Sequence, residues 1–174
     1  GKHTTAALLF QLFYPGTTQI RHVVFSEIMP WLKQSRADFG VCIHEGRFTW
    51  QHEGLALVED LGTRWERETS CPLPLGGIVA RRTLGHETIA TVQAVLLDSL
   101  QLALSDRSQP LPTMRRYAQE FDDRVLMQHV DLYVNDWTID LGHVGRNALQ
   151  QLSQHAASIG LLPAGSSMLE VFEP

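Results

Sequence analysis

One histidine of this chain stands in a setting that suits acid–base chemistry. An apolar run that ends at Ile43 stops abruptly at His44, and a polar, flexible stretch follows it. Proteins of the α/β class bind ligands at the carboxyl ends of their strands, and the ordinary pKa of an imidazole lies close to neutral pH. His44 is therefore predicted to act as a general base at the rim of a sheet. The alternative is a histidine that is hydrogen-bonded at a sheet edge and takes no part in chemistry.

The N-terminal turn and Arg47 are the candidates for holding a substrate. The turn leads straight into an apolar helix, so Thr4, Thr5 and Ala6 could bind a carboxylate or hydroxyl groups through threonine side chains and backbone N–H groups. Arg47 follows His44 by three residues and could clamp a carboxylate. An ordinary helix N-cap and a surface ion pair are the alternatives for these two groups of residues.

The motifs of several other kinds of site are missing from the sequence. His-Glu pairs begin at positions 44, 52 and 86, but none continues with the spacing of a zinc protease. Cys42 and Cys71 are not spaced for zinc. The sequence holds no Gly-Lys-Ser phosphate loop, no Gly-x-Gly-x-x-Gly and no Gly-x-Ser-x-Gly. We therefore expect neither a metal nor a cofactor.

Length, composition and charge are those of an ordinary globular protein. The chain has 174 residues, of which 44% are hydrophobic, and a net charge of −5 without a basic run, which argues against a nucleic-acid partner. Two cysteines are too few for a disulfide framework and suit reduced, buried thiols in a cytoplasmic protein. We expect no membrane partner, because neither a long apolar span nor a signal peptide is evident. The chain begins with Gly1 and not methionine, which leaves a removed targeting segment open.

The order of predicted elements indicates an α/β fold with a mostly parallel sheet and C-terminal helices. Apolar and β-branched stretches predict strands at 19–25, 38–43, 55–61 and 78–81. Helical spacing and capping residues predict helices at 6–13, 27–34, 62–70, 86–105, 112–121, 123–134 and 142–159. The organisation predicted from these elements is an α/β lobe at 1–76, then a return strand and helical layer at 77–174. The final eleven residues are expected to form a loosely attached tail.

Five segments, in the same order along the chain, resemble the 1,4-dihydroxy-6-naphthoate synthase family of the futalosine route to menaquinone. They are Gly-Lys-His-Thr-Thr-Ala at 1–6, Ile-His-Glu-Gly-Arg-Phe-Thr-Trp at 43–50, Asp-Leu-Gly-x-x-Trp-Glu-x-x-Thr at 60–69, Pro-Leu-Pro-Leu-Gly-Gly-Ile-Val-Ala-Arg-Arg at 72–82 and His-Val-Asp-Leu-Tyr-Val-Asn at 129–135. One such match would be weak, whereas five in register are specific. Chorismate dehydratase, the sister enzyme, lacks the second of these segments.

The resemblance implies a periplasmic-binding-protein-like fold of two α/β lobes, of which the N-terminal part is missing from this chain. It implies a carbon–carbon lyase that converts cyclic dehypoxanthinyl futalosine to 1,4-dihydroxy-6-naphthoate without a cofactor. The catalytic histidine of the family falls on His44, and its substrate-binding turn falls on Thr4, Thr5 and Ala6. The expected partner is this small-molecule substrate. A homodimer is left open, and the chain alone is expected to be poorly active.

The chain departs from the family pattern at the end of the third segment. Family members usually have an aromatic residue where Arg64 stands and Gly-Leu where Ser70 and Cys71 stand, so local packing there is expected to differ. A second interpretation is a solute-binding protein that closes on a small carboxylate without chemistry, because one fold can host both functions.

Overall fold

The computed structural model describes residues 1–16, 19–43, 49–118, 122–163, 165–166 and 169–173. Within these ranges the helices are α1 (Thr5–Phe13), α2 (Phe25–Lys33), α3 (Leu61–Thr69), α4 (His86–Ser105), α5 (Leu111–Tyr117), α6 (Asp123–Tyr133), α7 (Asp136–Ile139) and α8 (Gly142–Ser158). A 3-10 turn spans Arg82–Leu84. The sequence prediction matches α4 at both ends, and it places α1, α3, α6 and α8 to within two residues.

The prediction of an α/β fold with a mostly parallel sheet is wrong. None of the described residues belongs to a β-strand. Outside the helices, the backbone hydrogen bonds of these residues join positions no more than five apart in the chain, whereas a sheet needs bonds between distant segments. Several apolar residues that suggested strands are instead exposed, as Phe39 (68%), Val58 (74%) and Val79 (87%) show. High β-propensity therefore does not by itself form a sheet, and the α/β lobe predicted from these segments is not observed among the described residues.

The chain divides into two compact units. Unit 1 contains Gly1–Pro74 and Val144–Leu169, and unit 2 contains Leu75–His143 and Glu170–Pro174. The assignment of 1–76 and 77–174 to two lobes of the family fold stays a prediction. The candidate site residues at positions 4 to 6, 44 and 47 all belong to unit 1 by their positions in the chain.

Trp65 is the centre of the core of unit 1. Its side chain, on α3, is fully buried. The indole Nε1–H donates a hydrogen bond to the carbonyl oxygen of Pro72 at 3.3 Å, and the ring packs edge-on against His155 of α8 with 5.4 Å between centroids. The neighbouring Cys71 is also buried and accepts a hydrogen bond from Asn147 Nδ2 at 3.2 Å. These contacts hold α3 and α8 together.

Arg64 joins α3 to the C-terminal end of α1. Its guanidinium lies over the ring of Phe13, 4.3 Å from the centroid, and pairs with Glu59 at 3.1 Å and Glu68 at 2.8 Å. The hydroxyl of Tyr14 donates to Glu59 at 2.6 Å. This hydrogen bond, assisted by Arg64, lowers the pKa of Glu59, and the same bond raises the pKa of Tyr14. The chain thus uses a cation–π contact where the family usually has an aromatic residue.

Unit 2 contains a long apolar helix, α4, whose side chains are largely exposed. None of α4 is buried, and its exposed residues include Val92, Val95 and Leu102. By length and composition alone α4 could cross a bilayer, contrary to the expectation that the chain has no long apolar span. Core helices of water-soluble proteins pass the same test, so the match supports no conclusion about a membrane.

The C-terminal segment is attached to unit 2 at the start of α4. Glu170 forms an ion pair with Arg82, and the ring of Phe172 lies 4.9 Å from that of His86. The His86 Nε2–H donates to the carbonyl oxygen of Glu173 at 3.1 Å. The expectation of a loosely attached tail is therefore wrong for residues 170–173.

Replacing Trp65 with alanine is expected to lower the free energy of unfolding by about 3–5 kcal/mol, because it empties the centre of unit 1. Trp137, whose exposed fraction is 40%, provides a matched control. Its replacement by alanine should change stability by about 0.5 kcal/mol or less. Urea denaturation followed by circular dichroism measures both variants. Equal losses of stability would contradict the central role of Trp65.

Replacing Tyr14 with phenylalanine is expected to raise the pKa of Glu59 towards that of an ordinary glutamate, because the donor to its carboxylate is removed. Because the pKa of Glu59 is lowered in the folded chain, its ionised carboxylate stabilises the fold at pH values above the ordinary pKa of glutamate. That contribution is lost as the pH falls through the lowered pKa.

An NMR pH titration of the side-chain carboxyl carbons measures this change. The pKa of Glu53, which is lowered mainly by its hydrogen bond with Lys33, serves as the internal control and should stay constant. A Glu59 pKa that is the same in both proteins would show that the hydroxyl of Tyr14 does not control it.

Candidate functional site

Thr4 fixes the N-terminal turn as the N-cap of α1. Its Oγ1 accepts a hydrogen bond from the N–H of Ala7 at 3.2 Å and donates one to the carbonyl oxygen of Gly1 at 2.9 Å. Its own carbonyl oxygen accepts from the N–H of Leu8 at 3.0 Å. Of the two threonines predicted as caps, Thr4 is the one that caps. Its hydroxyl is already engaged within the turn.

Because the hydroxyl of Thr4 is engaged, the backbone N–H groups of Thr5 and Ala6 are the groups of the predicted substrate-binding turn that can bind a ligand. No hydrogen bond within the described part of the chain uses either group. Both residues are half-buried, and both stand in the first turn of α1, where the helix dipole is positive. These two N–H groups can bind an anion or a hydroxyl oxygen. Thr4 stabilises the turn that presents them by capping the helix.

His44 and Arg47 lie outside the described residues, so their predicted roles stay predictions. The structure shows the chain on either side of them. Cys42 and Ile43 are half-buried, and Thr49 beyond the gap is also half-buried. The prediction of a buried strand at 38–43 is wrong, because this segment forms no strand and its first three residues are exposed.

A cavity of about 540 Å³ in unit 1 adjoins both flanks of segment 44–48. One wall is a face of α2 on which residues four apart line up, namely Phe25, Met29 and Lys33. The lining also includes the flanks themselves, Cys42, Ile43 and Thr49. Such a volume lies within the range of small-molecule sites. The cavity is therefore close in the chain to the predicted general base.

The lining of the cavity combines apolar side chains with polar and charged ones, among them Lys33 and Glu53. Lys33 Nζ pairs with Glu53 Oε2 at 2.8 Å, both side chains are about half exposed, and the hydrogen bond lowers the pKa of Glu53. Burial raises the pKa of the Cys42 thiol, which is therefore neutral near pH 7. Within the described ranges, no cluster of three or more His, Cys, Asp or Glu side chains could hold a metal ion.

Sequence reasoning missed the lining of this cavity. The sequence analysis gave α2 only as a helix and assigned no function to its residues. The recurrence of Phe25, Met29 and Lys33 four residues apart was the available signal. What the sequence could not supply was the path of 38–43, which brings Cys42 and Ile43 into the lining of the same cavity.

Replacing Thr4 with alanine is expected to destabilise the chain by about 1 kcal/mol, because the capping oxygen of α1 is lost. Serine at the same position keeps the oxygen and should restore most of the stability. Urea denaturation of the two variants and the wild type measures the difference. The capping assignment fails if the alanine and serine variants unfold at the same urea concentration as the wild type.

Comparison with known proteins gives three consistent matches. The model of the menaquinone biosynthesis family matches residues 1–158. The 1,4-dihydroxy-6-naphthoate synthase of Streptomyces coelicolor is 40% identical over 166 residues, which cover 92% of this chain and 59% of that protein. The synthase of the same name from Thermus thermophilus is 40% identical over 161 residues, with the same two coverages.

A crystal structure supports the same relationship. A protein from Archaeoglobus fulgidus superimposes with a TM-score of 0.86 at 28% identity, covering 93% of this chain and 61% of that one. The chain therefore spans about three fifths of the length of the relatives that it matches.

Proposed function

Because this chain belongs to the menaquinone biosynthesis family, we propose that it acts as a 1,4-dihydroxy-6-naphthoate synthase. The observation that carries the proposal is the 40% identity to two synthases of that name over 92% of the chain. The proposed reaction converts cyclic dehypoxanthinyl futalosine to 1,4-dihydroxy-6-naphthoate, by cleavage of a carbon–carbon bond and aromatisation. It requires no cofactor, and we propose a cytoplasmic location for it.

In the proposed mechanism, His44 removes a proton from the substrate. The electron pair released from that C–H bond drives cleavage of the bond to the sugar-derived ring, and formation of the aromatic naphthoate makes the step favourable. A positioned base typically contributes about a hundred- to ten-thousand-fold in rate. The role of His44 is supported by its place in the segment at 43–50 that resembles the family.

The backbone of the N-terminal turn is proposed to hold the substrate. The N–H groups of Thr5 and Ala6 point from the start of α1 and would bind an anionic or hydroxyl oxygen. Arg47, three residues beyond His44, would clamp a carboxylate. No observation on this chain favours the alternative of a solute-binding protein without chemistry, and the relatives with curated names are synthases.

Replacing His44 with alanine is expected to lower the rate of naphthoate formation by about a hundredfold or more, because the base is lost. The dissociation constant for cyclic dehypoxanthinyl futalosine should change little. Product is measured by its fluorescence and by mass spectrometry after incubation with that substrate. His52→Ala is the matched control, since His52 is an exposed histidine of the same region.

The control variant should keep the rate of the wild type. A His44→Ala rate close to that of the wild type would remove the proposed base. Failure of the wild-type chain to release any naphthoate from the substrate would contradict the activity itself.

A further inference from the structure

We propose that the cavity beside α2 binds the fused rings of 1,4-dihydroxy-6-naphthoate and the matching part of the substrate. This proposal rests on the proposed function and adds a residue that determines specificity, Met29. The cavity belongs entirely to unit 1, and its volume of about 540 Å³ exceeds that needed for two fused aromatic rings. The remaining space is available to the part of the substrate that is still attached to those rings.

The walls of the cavity suit a flat apolar ligand. Phe25, Met29 and Pro30 line it from α2, and Cys42 and Ile43 line it from the segment that precedes position 44. Pockets that combine apolar side chains with polar groups are typical of small-molecule sites. The thioether of Met29 is the most adaptable of these side chains and makes favourable contacts with aromatic rings.

Lys33 gives the cavity a cationic group for the carboxylate of the naphthoate. Its ammonium has three N–H donors, and the structure uses one of them for Glu53 Oε2. A ligand carboxylate can accept from the others without breaking the ion pair. A ring system in contact with Met29 and Cys42 could thus place its carboxylate at Lys33.

The position of the cavity in the chain connects it to the chemistry. Ile43 lines the cavity and directly precedes His44. A ligand in contact with Ile43 would thus touch the residue that directly precedes the predicted base in the sequence.

Cys42 provides a readout that does not depend on turnover. Its thiol lines the cavity and is half-buried, whereas Cys71 is buried at 3% exposure. Bound naphthoate should therefore slow alkylation of Cys42 by N-ethylmaleimide. Mass spectrometry of the tryptic peptides distinguishes the two cysteines.

The experiment compares Met29→Trp, which fills the cavity, with Met29→Leu, which nearly conserves the volume. Saturating 1,4-dihydroxy-6-naphthoate is expected to slow alkylation of Cys42 about fivefold or more in the wild type and in Met29→Leu, in keeping with steric exclusion from a small-molecule pocket. Met29→Trp should lose this protection. Glu27→Trp, with the same indole at an exposed position of α2, should keep it.

Lys33→Met is a second variant, which keeps the apolar lining, and Lys33 is not one of the buried core residues. It should weaken naphthoate binding about tenfold, measured by fluorescence titration, as expected for loss of a charge-assisted hydrogen bond. Circular dichroism verifies that each variant is folded. If Met29→Trp does not fold, the proposal is tested by naphthoate binding to Lys33→Met and by the protection of Cys42 from alkylation in the wild type.

The proposal is overturned if naphthoate fails to protect Cys42 in the wild type, or if folded Met29→Trp is protected equally well. Wild-type turnover by folded Met29→Trp would also overturn it, while leaving the proposed function intact. Conversely, naphthoate binding that depends on Met29 and Lys33 in a chain without turnover would support the cavity and contradict the proposed function.

Discussion

The packing of Trp65 is the contact on which unit 1 depends. Its buried indole connects α3 to the segment at Pro72 and to His155 of α8, a helix that follows it by about eighty residues. Arg64, the residue before it, extends the same helix to Phe13 at the end of α1. The helix that begins at the predicted substrate-binding turn is therefore held at its C-terminal end by α3, the helix that carries Trp65.

The candidate site has two parts with different physical characters. At the start of α1, the N–H groups of Thr5 and Ala6 offer a small, polar, rigid surface that Thr4 supports by capping the helix. Beside α2, an apolar cavity with an ion pair at one end offers room for a flat ring system. A substrate that carries both a fused ring system and hydroxyl groups requires surfaces of both kinds. This match between the chemistry of the substrate and of unit 1 supports the proposed synthase.

The helices of this chain could be predicted from sequence because their signals are local. Threonine before an apolar run gave the cap of α1, and leucine and alanine at helical spacing gave both ends of α4. Strands could not be predicted from sequence in the same way, because a strand exists only when a distant segment pairs with it. Phe39, Val58 and Val79 have the β-propensity of strand residues, yet they stand exposed in extended segments without partners. Intrinsic preference does not say whether a partner is present.

The same distinction applies to the site. The N-terminal turn could be predicted as a candidate from six adjacent residues, whereas the cavity combines α2 with Cys42 and Ile43, which no spacing rule connects. The predicted base is tested most directly by adding imidazole to the His44→Ala chain together with cyclic dehypoxanthinyl futalosine. The account predicts that naphthoate release, nearly absent without imidazole, rises with its concentration as the free base replaces the missing side chain. Release at the wild-type rate without imidazole would contradict it.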